Sequence, residues 1–164
     1  VNREPIANAL FGLLSSAYGW KTKSRQAQIW SNVPNQPAMF LIAPSEGDNQ
    51  SDMALTEYKL KYMCLVYFEA DPAPDGTGAH PYPDTVINAI LQAIEANLGT
   101  PTGERVQNLQ VVGQQPVILP GHSVAPTPVT NVINVWIDGV IDKDSGILDQ
   151  QCAILIPITV LCGV

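Results

Sequence analysis

The sequence predicts an α+β domain: a mostly antiparallel β-sheet with two helices covering one face, ending in a long C-terminal β-hairpin. Three observations carry that prediction. The first is the hairpin pattern from Val132 to Leu161. Its first arm, Val132–Asp142, is dense in β-branched residues, and its second, Gln151–Leu161, is more apolar still. Between the arms, Lys143-Asp144-Ser145-Gly146 is a polar turn with one residue free to take φ > 0. The second is a period-2 alternation that puts Tyr58, Leu60, Tyr62, Cys64, Val66 and Phe68 on one face. Glu57, Lys59, Lys61 and Glu69 take the other face, with Met63, Leu65 and Tyr67 between them, so this strand is expected to be long, central and half covered. The third is a pair of helical stripes, Ile6/Leu10/Leu13/Leu14/Ala17 and Ile87/Ile90/Leu91/Ile94/Leu98. A sheet this apolar must be covered on at least one face, and two amphipathic helices can do it.

The elements follow in chain order. Asn2 is placed to cap the first helix, with Pro5 in its first turn, Glu4 at the positive dipole end and Gly19 beyond its stop. Trp20–Ser24 reads as a short strand with Lys21, Lys23 and Arg25 alternating on its solvent side. Pro37–Ile42 reads as a second short strand opened by proline. Pro44–Thr56, carrying Glu46, Asp48 and Asp52, reads as an acidic, mobile loop, and Asp71–Gly78 is a loop on turn chemistry alone. Asp84 is placed to cap the second helix and Gly99 to end it. Val111–Thr130 contains no Asp, Glu, Lys or Arg, and has four prolines (Pro116, Pro120, Pro126, Pro128) and the apolar run Val117-Ile118-Leu119. It is expected to be a functional insertion of about residues 111–130 in a single domain spanning 1–164.

At 164 residues the chain is long enough to bury about 70% of its extended surface in one core. Hydrophobic residues make up 46% of it, which excludes a disordered chain. Charged residues are only 14%, well under the usual value of about 25%, as expected of a surface partly buried against other subunits. A net charge of −7 argues against a DNA-wrapping protein, which needs a basic surplus, but suits a wall past which DNA slides without adhering. Cys64, Cys152 and Cys162 show neither a disulfide framework nor metal-type spacing, which points to a reducing compartment. No secretory leader is expected from the polar opening, and no stretch approaches the roughly 20 apolar residues of a membrane span.

Catalytic constellations are largely missing from the sequence. It contains no Gly-rich phosphate loop, no nucleophile elbow and no histidine pair at ligand spacing. His80 and His122 read as lone loop residues. The best acidic group is Asp138, Asp142, Asp144 and Asp149 around the hairpin. Such carboxylates could bind a cation or work as acid and base, but as strand-end charges they keep the hairpin soluble and discourage stray edge pairing, which is the favoured reading. The Lys21/Lys23/Arg25 stripe near Trp20 and Trp30 is the one basic patch with aromatic neighbours, and it reads as a solvated face. Trp136 is expected in the core or a subunit interface.

Several segments, in order, resemble a known family. Helix Pro5–Ala17, then Trp20-Lys21-Thr22-Lys23-Ser24-Arg25, Ile29-Trp30-Ser31-Asn32-Val33-Pro34 and Gln36-Pro37-Ala38-Met39-Phe40, are similar to the opening of the tail terminator (tail completion) proteins of long-tailed bacteriophages. Val135-Trp136-Ile137-Asp138-Gly139 and the segment Asp149–Ile158 resemble the family's last hairpin, and helix Asp84–Leu98 sits where the family has one. The insertion Val111–Thr130 departs from the family, in which the following strand comes more directly after the second helix.

The resemblance implies a non-enzymatic virion protein without cofactor or metal, assembled in the host cytoplasm. It implies a ring, typically a homohexamer, that caps the head-proximal end of the tail tube and halts tube polymerisation. The implied partners are further copies of itself, the tail tube protein and the head-side connector; DNA passes through the lumen unbound. On that reading Val117, Ile118, Leu119, Trp30 and Trp136 are the interface candidates, and Glu46, Asp48 and Asp52 the lumen-facing acidic ones. The alternatives are a head-completion or connector ring of the phage neck, a small acidic metal-dependent enzyme built on Asp138 and Asp142, and a monomeric ligand-binding domain.

Overall fold

The structure, a computed structural model, describes residues 3–50, 56–70, 82–101, 103–114, 117–119, 122–124, 128–144 and 151–163. Helix α1 (Arg3–Ala17) buries Ile6, Leu10, Leu13 and Leu14, the stripe its spacing predicts. The Trp20 indole N–H donates to the Leu14 carbonyl at 2.8 Å, satisfying one of the carbonyls that a helix end leaves open. Strand β1 (Thr22–Ser24) is only three residues long and runs parallel to β2 (Ala38–Gln50). Between them lies a single 3₁₀ turn, Trp30–Asn32, and a cis Gln36–Pro37 peptide.

Strand β2 pairs antiparallel with β3 (Thr56–Glu69) from Ala38↔Tyr67 to Gln50↔Thr56. The acidic loop expected from Pro44 is therefore corrected: residues 44–50 continue the strand, and Asp52 lies outside the described residues. The ladder shifts register between Ile42 and Ser45, where Pro44, which has no N–H to contribute, is accommodated in a bulge. Beyond the bulge, pairing to Lys61, Leu60, Lys59 and Tyr58 overrides the turn-like composition of Ser45–Asp48.

Helix α2 (Pro83–Leu98) buries Ile87, Ile90, Ile94 and Leu98, but Asp84 is not its cap. Pro83 opens the helix after Tyr82, and Asp84 sits one residue inside, where its charge favours the positive helix end. Gly99 ends it at φ 95° and ψ 180°, a conformation open to glycine alone; a Cβ there would meet the Asn108 amide at 2.7 Å.

A third helix, α3 (Glu104–Gly113), corrects the two-helix expectation and takes Val111–Gly113 out of the presumed insertion. It opens on a left-handed Gly103 without a side-chain cap and buries only Arg105 and Leu109 outright, so neither a start signal nor a stripe marks it. Tertiary bonds position it. Arg105 Nε donates to the Gly99 carbonyl at 2.9 Å and Asn108 to the Leu98 carbonyl at 3.0 Å, closing the C-terminal end of α2.

Strands β4 (Val117–Leu119) and β5 (His122–Val124) form a separate two-stranded ribbon, so His122 occupies a strand position opposite Leu119 rather than a loop. Val129 and Val132, at the far end of the same region, are buried in the main core. Strand β6 (Val132–Ile137), strand β7 (Asp142–Asp144) and strand β8 (Gln151–Cys162) make the C-terminal hairpin. Its first arm is broken: Ile137 pairs with Ile158 and Asp142 with Leu155, so the four residues between β6 and β7 face two of β8, and Gly139 turns there at φ 96°.

The main sheet runs in the order β1-β2-β3-β8-β6, with β7 beside β8 below β6. All three helices contribute to one core cluster with Met39, Leu41, Leu60, Tyr62, Cys64, Val66 and the alternate residues Ile154, Ile156 and Ile158 of β8. Cys64, Cys152 and Cys162 are all buried, and burial pushes Cys64 up to about 12 and Cys162 up to about 11. The asymmetry of the sheet predicts a contrast between neighbours. Ile156→Ala, on the helix side, should lower the urea-denaturation stability of the protein by about 2–5 kcal/mol. Leu155→Ala, on the opposite side, should lower it by no more than about 1 kcal/mol.

Candidate assembly surface

The face of the sheet turned away from the helices is apolar and incompletely covered around Met63 and Pro157, and polar beyond it, where Ser45, Lys61 and Asn134 stand exposed. Ile42 of β2, Met63 and Leu65 of β3, Leu155 and Pro157 of β8 and Trp136 of β6 lie on it, each half-buried, whereas Tyr62, Cys64, Val66, Ile154, Ile156 and Ile158 on the helix side are sealed. The sequence carries the signal in β8, where both parities are apolar from Ala153 to Ile158; a strand of that kind wants cover on both faces. Among the described residues, only the segment between β1 and β2 packs on it, and only at one end.

That segment is held by specific bonds. Val33 is buried against Ala38 and Phe40, with Leu65 and Tyr67 packed alongside. The Tyr67 hydroxyl donates to the Gln28 carbonyl at 3.0 Å, and its ring meets Phe40 edge-on at 5.8 Å. Gln36 and Gln151 exchange amide hydrogen bonds at 2.8 and 3.1 Å, tying the segment to the start of β8. The cover leaves its own apolar side chains outside: Trp30 is 45% exposed and Ile29 65%. Of the interface candidates, then, Trp30 stands on the surface and Trp136 half-buried on the adjoining face; Val117, Ile118 and Leu119 form β4, and nothing further is described of their side chains.

The polar groups are engaged in holding elements together. Arg25 does not stand on a solvated stripe as expected: it reaches α1, donating to Glu4 at 2.5 Å and to Asn8 at 2.8 Å, while Lys21 and Lys23 stay exposed. Of the three, only Lys23 lies within β1; Arg25 follows its end, where the carboxylate of Glu4 holds its side chain. Arg3 forms an ion pair with Glu46, joining α1 to the far half of β2. Glu46 is thus a bridging residue rather than a bare acidic group, and Asp48 is the strand partner of Tyr58. A cleft of about 330 Å³ lies between the two ion pairs, floored by Leu60 and Tyr62, with charges of both signs on its rim.

The Asp138 carboxylate accepts the hydroxyl of Thr159 at 2.9 Å, and Asp142 sits beyond the break in the hairpin, so they do not converge. Among the described residues no group of three or more His, Cys, Asp or Glu side chains is placed to hold a metal ion. Tyr62, buried beneath α1, is pushed up to about 12 by loss of water. Neither ion pair is visible in sequence spacing, because Arg3–Glu46 and Glu4–Arg25 join segments that only the folded sheet brings together.

No protein-family model matches this chain, and no curated protein is similar to it in sequence.

The ion pairs predict the acid limb of stability. Hydrogen bonds from Arg25 and Arg3 hold the carboxyls of Glu4 and Glu46 below their usual 4.5. A carboxyl lowered in the folded state stabilises fully above its unfolded value and loses that contribution as pH falls through the folded one. Urea midpoints should therefore decline as pH drops below about 4.5, and Arg25→Met should lower the midpoint at neutral pH and flatten that decline.

Proposed function

We propose that this chain is a subunit of a tail-terminator-type ring, a structural virion protein at the head-proximal end of a bacteriophage tail tube. One observation carries the reading: a sheet with helices on one side keeps a broad half-exposed apolar face on the other, with Trp30 and Ile29 standing at its border. Contiguous apolar patches on a protein's surface mark places that bind protein. The family resemblance of the opening segments and the last hairpin supplies the kind of assembly, and the low charged fraction of 14% supports burial between subunits.

In this reading the subunit works by differential contact. A closed ring uses different patches on the two sides of each subunit. One ring face matches the next layer of the tail tube and the other cannot accept a further tube subunit, so growth stops and the head-side connector finds its seat. The net charge of −7 per subunit, repeated round the ring, gives a wall that DNA passes without adhering, with the charge of Glu46 already answered by Arg3. The ribbon β4–β5 and its flanks are the family departure, and they serve the contact with a neighbouring subunit or ring.

Native mass measurement and negative-stain imaging of the purified protein, alone and with tail-tube subunits, test the reading. Rings, or tubes capped at one end, are the expected result, and loss of the protein during phage assembly should give overlong tails. A strict monomer in both conditions overturns it. Normal free tails beside unjoined heads would move the protein to the head-side connector. Trp30→Ala should reduce ring or tube association at least tenfold without lowering subunit stability by more than about 0.5 kcal/mol, since the side chain is exposed in the free subunit.

A further inference from the structure

The two edges of the main sheet lie at matching heights. Three adjacent rows cross the sheet without a step: Gly47–Lys59–Leu161–Asn134, Glu46–Leu60–Val160–Val135 and Ser45–Lys61–Thr159–Trp136. At one end of these rows β6 is an edge among the described residues. At the other, β2 is an edge too, because β1 pairs only with Ala38, Met39 and Phe40, and among the described residues no strand takes the outer side of β2 from Leu41 to Gln50. Unpaired strand edges are templates for adding another strand.

The phase of the open hydrogen-bonding groups also matches. The Val135 N–H is turned away from β8 and is taken by the side-chain oxygen of its own neighbour Asn134 at 2.9 Å, while Asp138 N–H points inward to the Pro157 carbonyl at 2.9 Å. Outward and inward groups alternate along an antiparallel strand and from strand to strand across a row. Carried over the four strands β6, β8, β3 and β2, that alternation turns the N–H and C=O of Glu46 outward on the row of Val135. Four is an even number, so β2 and β6 also run in opposite directions. A second copy set beside the first at the same height therefore meets it as an antiparallel partner, with side chains on the same faces and bonding groups opposed.

We propose that copies of this chain join head to tail by strand addition, β6 of one subunit pairing with the Ser45–Asp48 stretch of β2 in the next. The occupant of each edge is thus a second copy of this chain, through a heterologous contact of the kind a closed ring requires. In the free subunit Asn134 caps the Val135 donor, and the joining strand replaces it. The contact stays in this half of the sheet: at the other, Lys143 of β7 and Lys23 of β1 end the same row, and like charges facing across a strand pair repel. The proposal rests on the ring reading only in requiring that the chain self-associates.

Cross-linking between two single variants tests it. Ser45 and Asn134 are exposed, lie on the same face, and would stand about 7–8 Å apart diagonally across the join. Ser45→Cys and Asn134→Cys proteins, mixed and treated with a short bismaleimide, should give covalent dimers, and each variant alone should give none; the native thiols are buried and do not compete. Asp48→Pro removes an outward-facing N–H while leaving the ladder to β3, and should abolish association with the circular dichroism spectrum unchanged. Dimers from either single variant alone overturn the head-to-tail contact. Oligomers by native mass without cross-linking in the mixture overturn the edge contact while leaving the ring reading standing. A monomer at every concentration, with and without tail-tube subunits, overturns both.

Discussion

Strand β3 is hydrogen-bonded along its length on both sides, to β2 over Ala38–Gln50 and to β8 over Gln151–Cys162, and every other element takes its place from that double ladder. Because side chains alternate with period 2, one strand in the middle decides two surfaces at once. Leu60, Tyr62, Cys64, Val66 and Phe68 turn to the helices and Lys61, Met63, Leu65 and Tyr67 turn away. A slip of one residue in either ladder would exchange the two faces, exposing the sealed set and burying Lys61. The long alternating run of β3 and the apolar run of β8 make that slip costly.

The helix side is closed by polar bonds as much as by packing. Trp20 satisfies the end of α1, Asn97 joins α2 to α1 through the Leu13 carbonyl and the Ser16 hydroxyl, and Arg105 and Asn108 of α3 satisfy the end of α2. These bonds link each helix to the next, so three helices become one layer. Buried groups with potential chemistry are spent in that layer: Tyr62 and Cys64 lie beneath it with their ionised forms strongly disfavoured.

The opposite side has no such layer. The segment between β1 and β2 covers the end of the face around Phe40 and Tyr67, leaving the middle around Met63 and Pro157 half open. An apolar face of this kind and two edges at equal height are the features on which the proposed ring contacts rest. Two charge pairs form within the chain, Arg25 with Glu4 and Arg3 with Glu46, and the second fastens α1 to the edge strand β2.

The amino-acid sequence by itself determined the periodic elements: α1, α2, the alternation of β3, and the two apolar arms of the C-terminal hairpin, since burial on one face imposes a repeat that residue spacing records. It also carried the open face, in the double-sided apolarity of β8. Only the tertiary structure decided the rest, because there the cause is a partner distant in the chain. Pairing with β3 makes a strand of Ser45–Gln50 against its turn-like composition, and bonds to the end of α2 hold α3, whose own stripe is slight. Glu4 recruits Arg25 across 21 residues, and Arg3 recruits Glu46 across 43. The matched heights of β2 and β6 are the sum of three registers, each set by contacts between segments far apart, and no local pattern in either strand contains that sum.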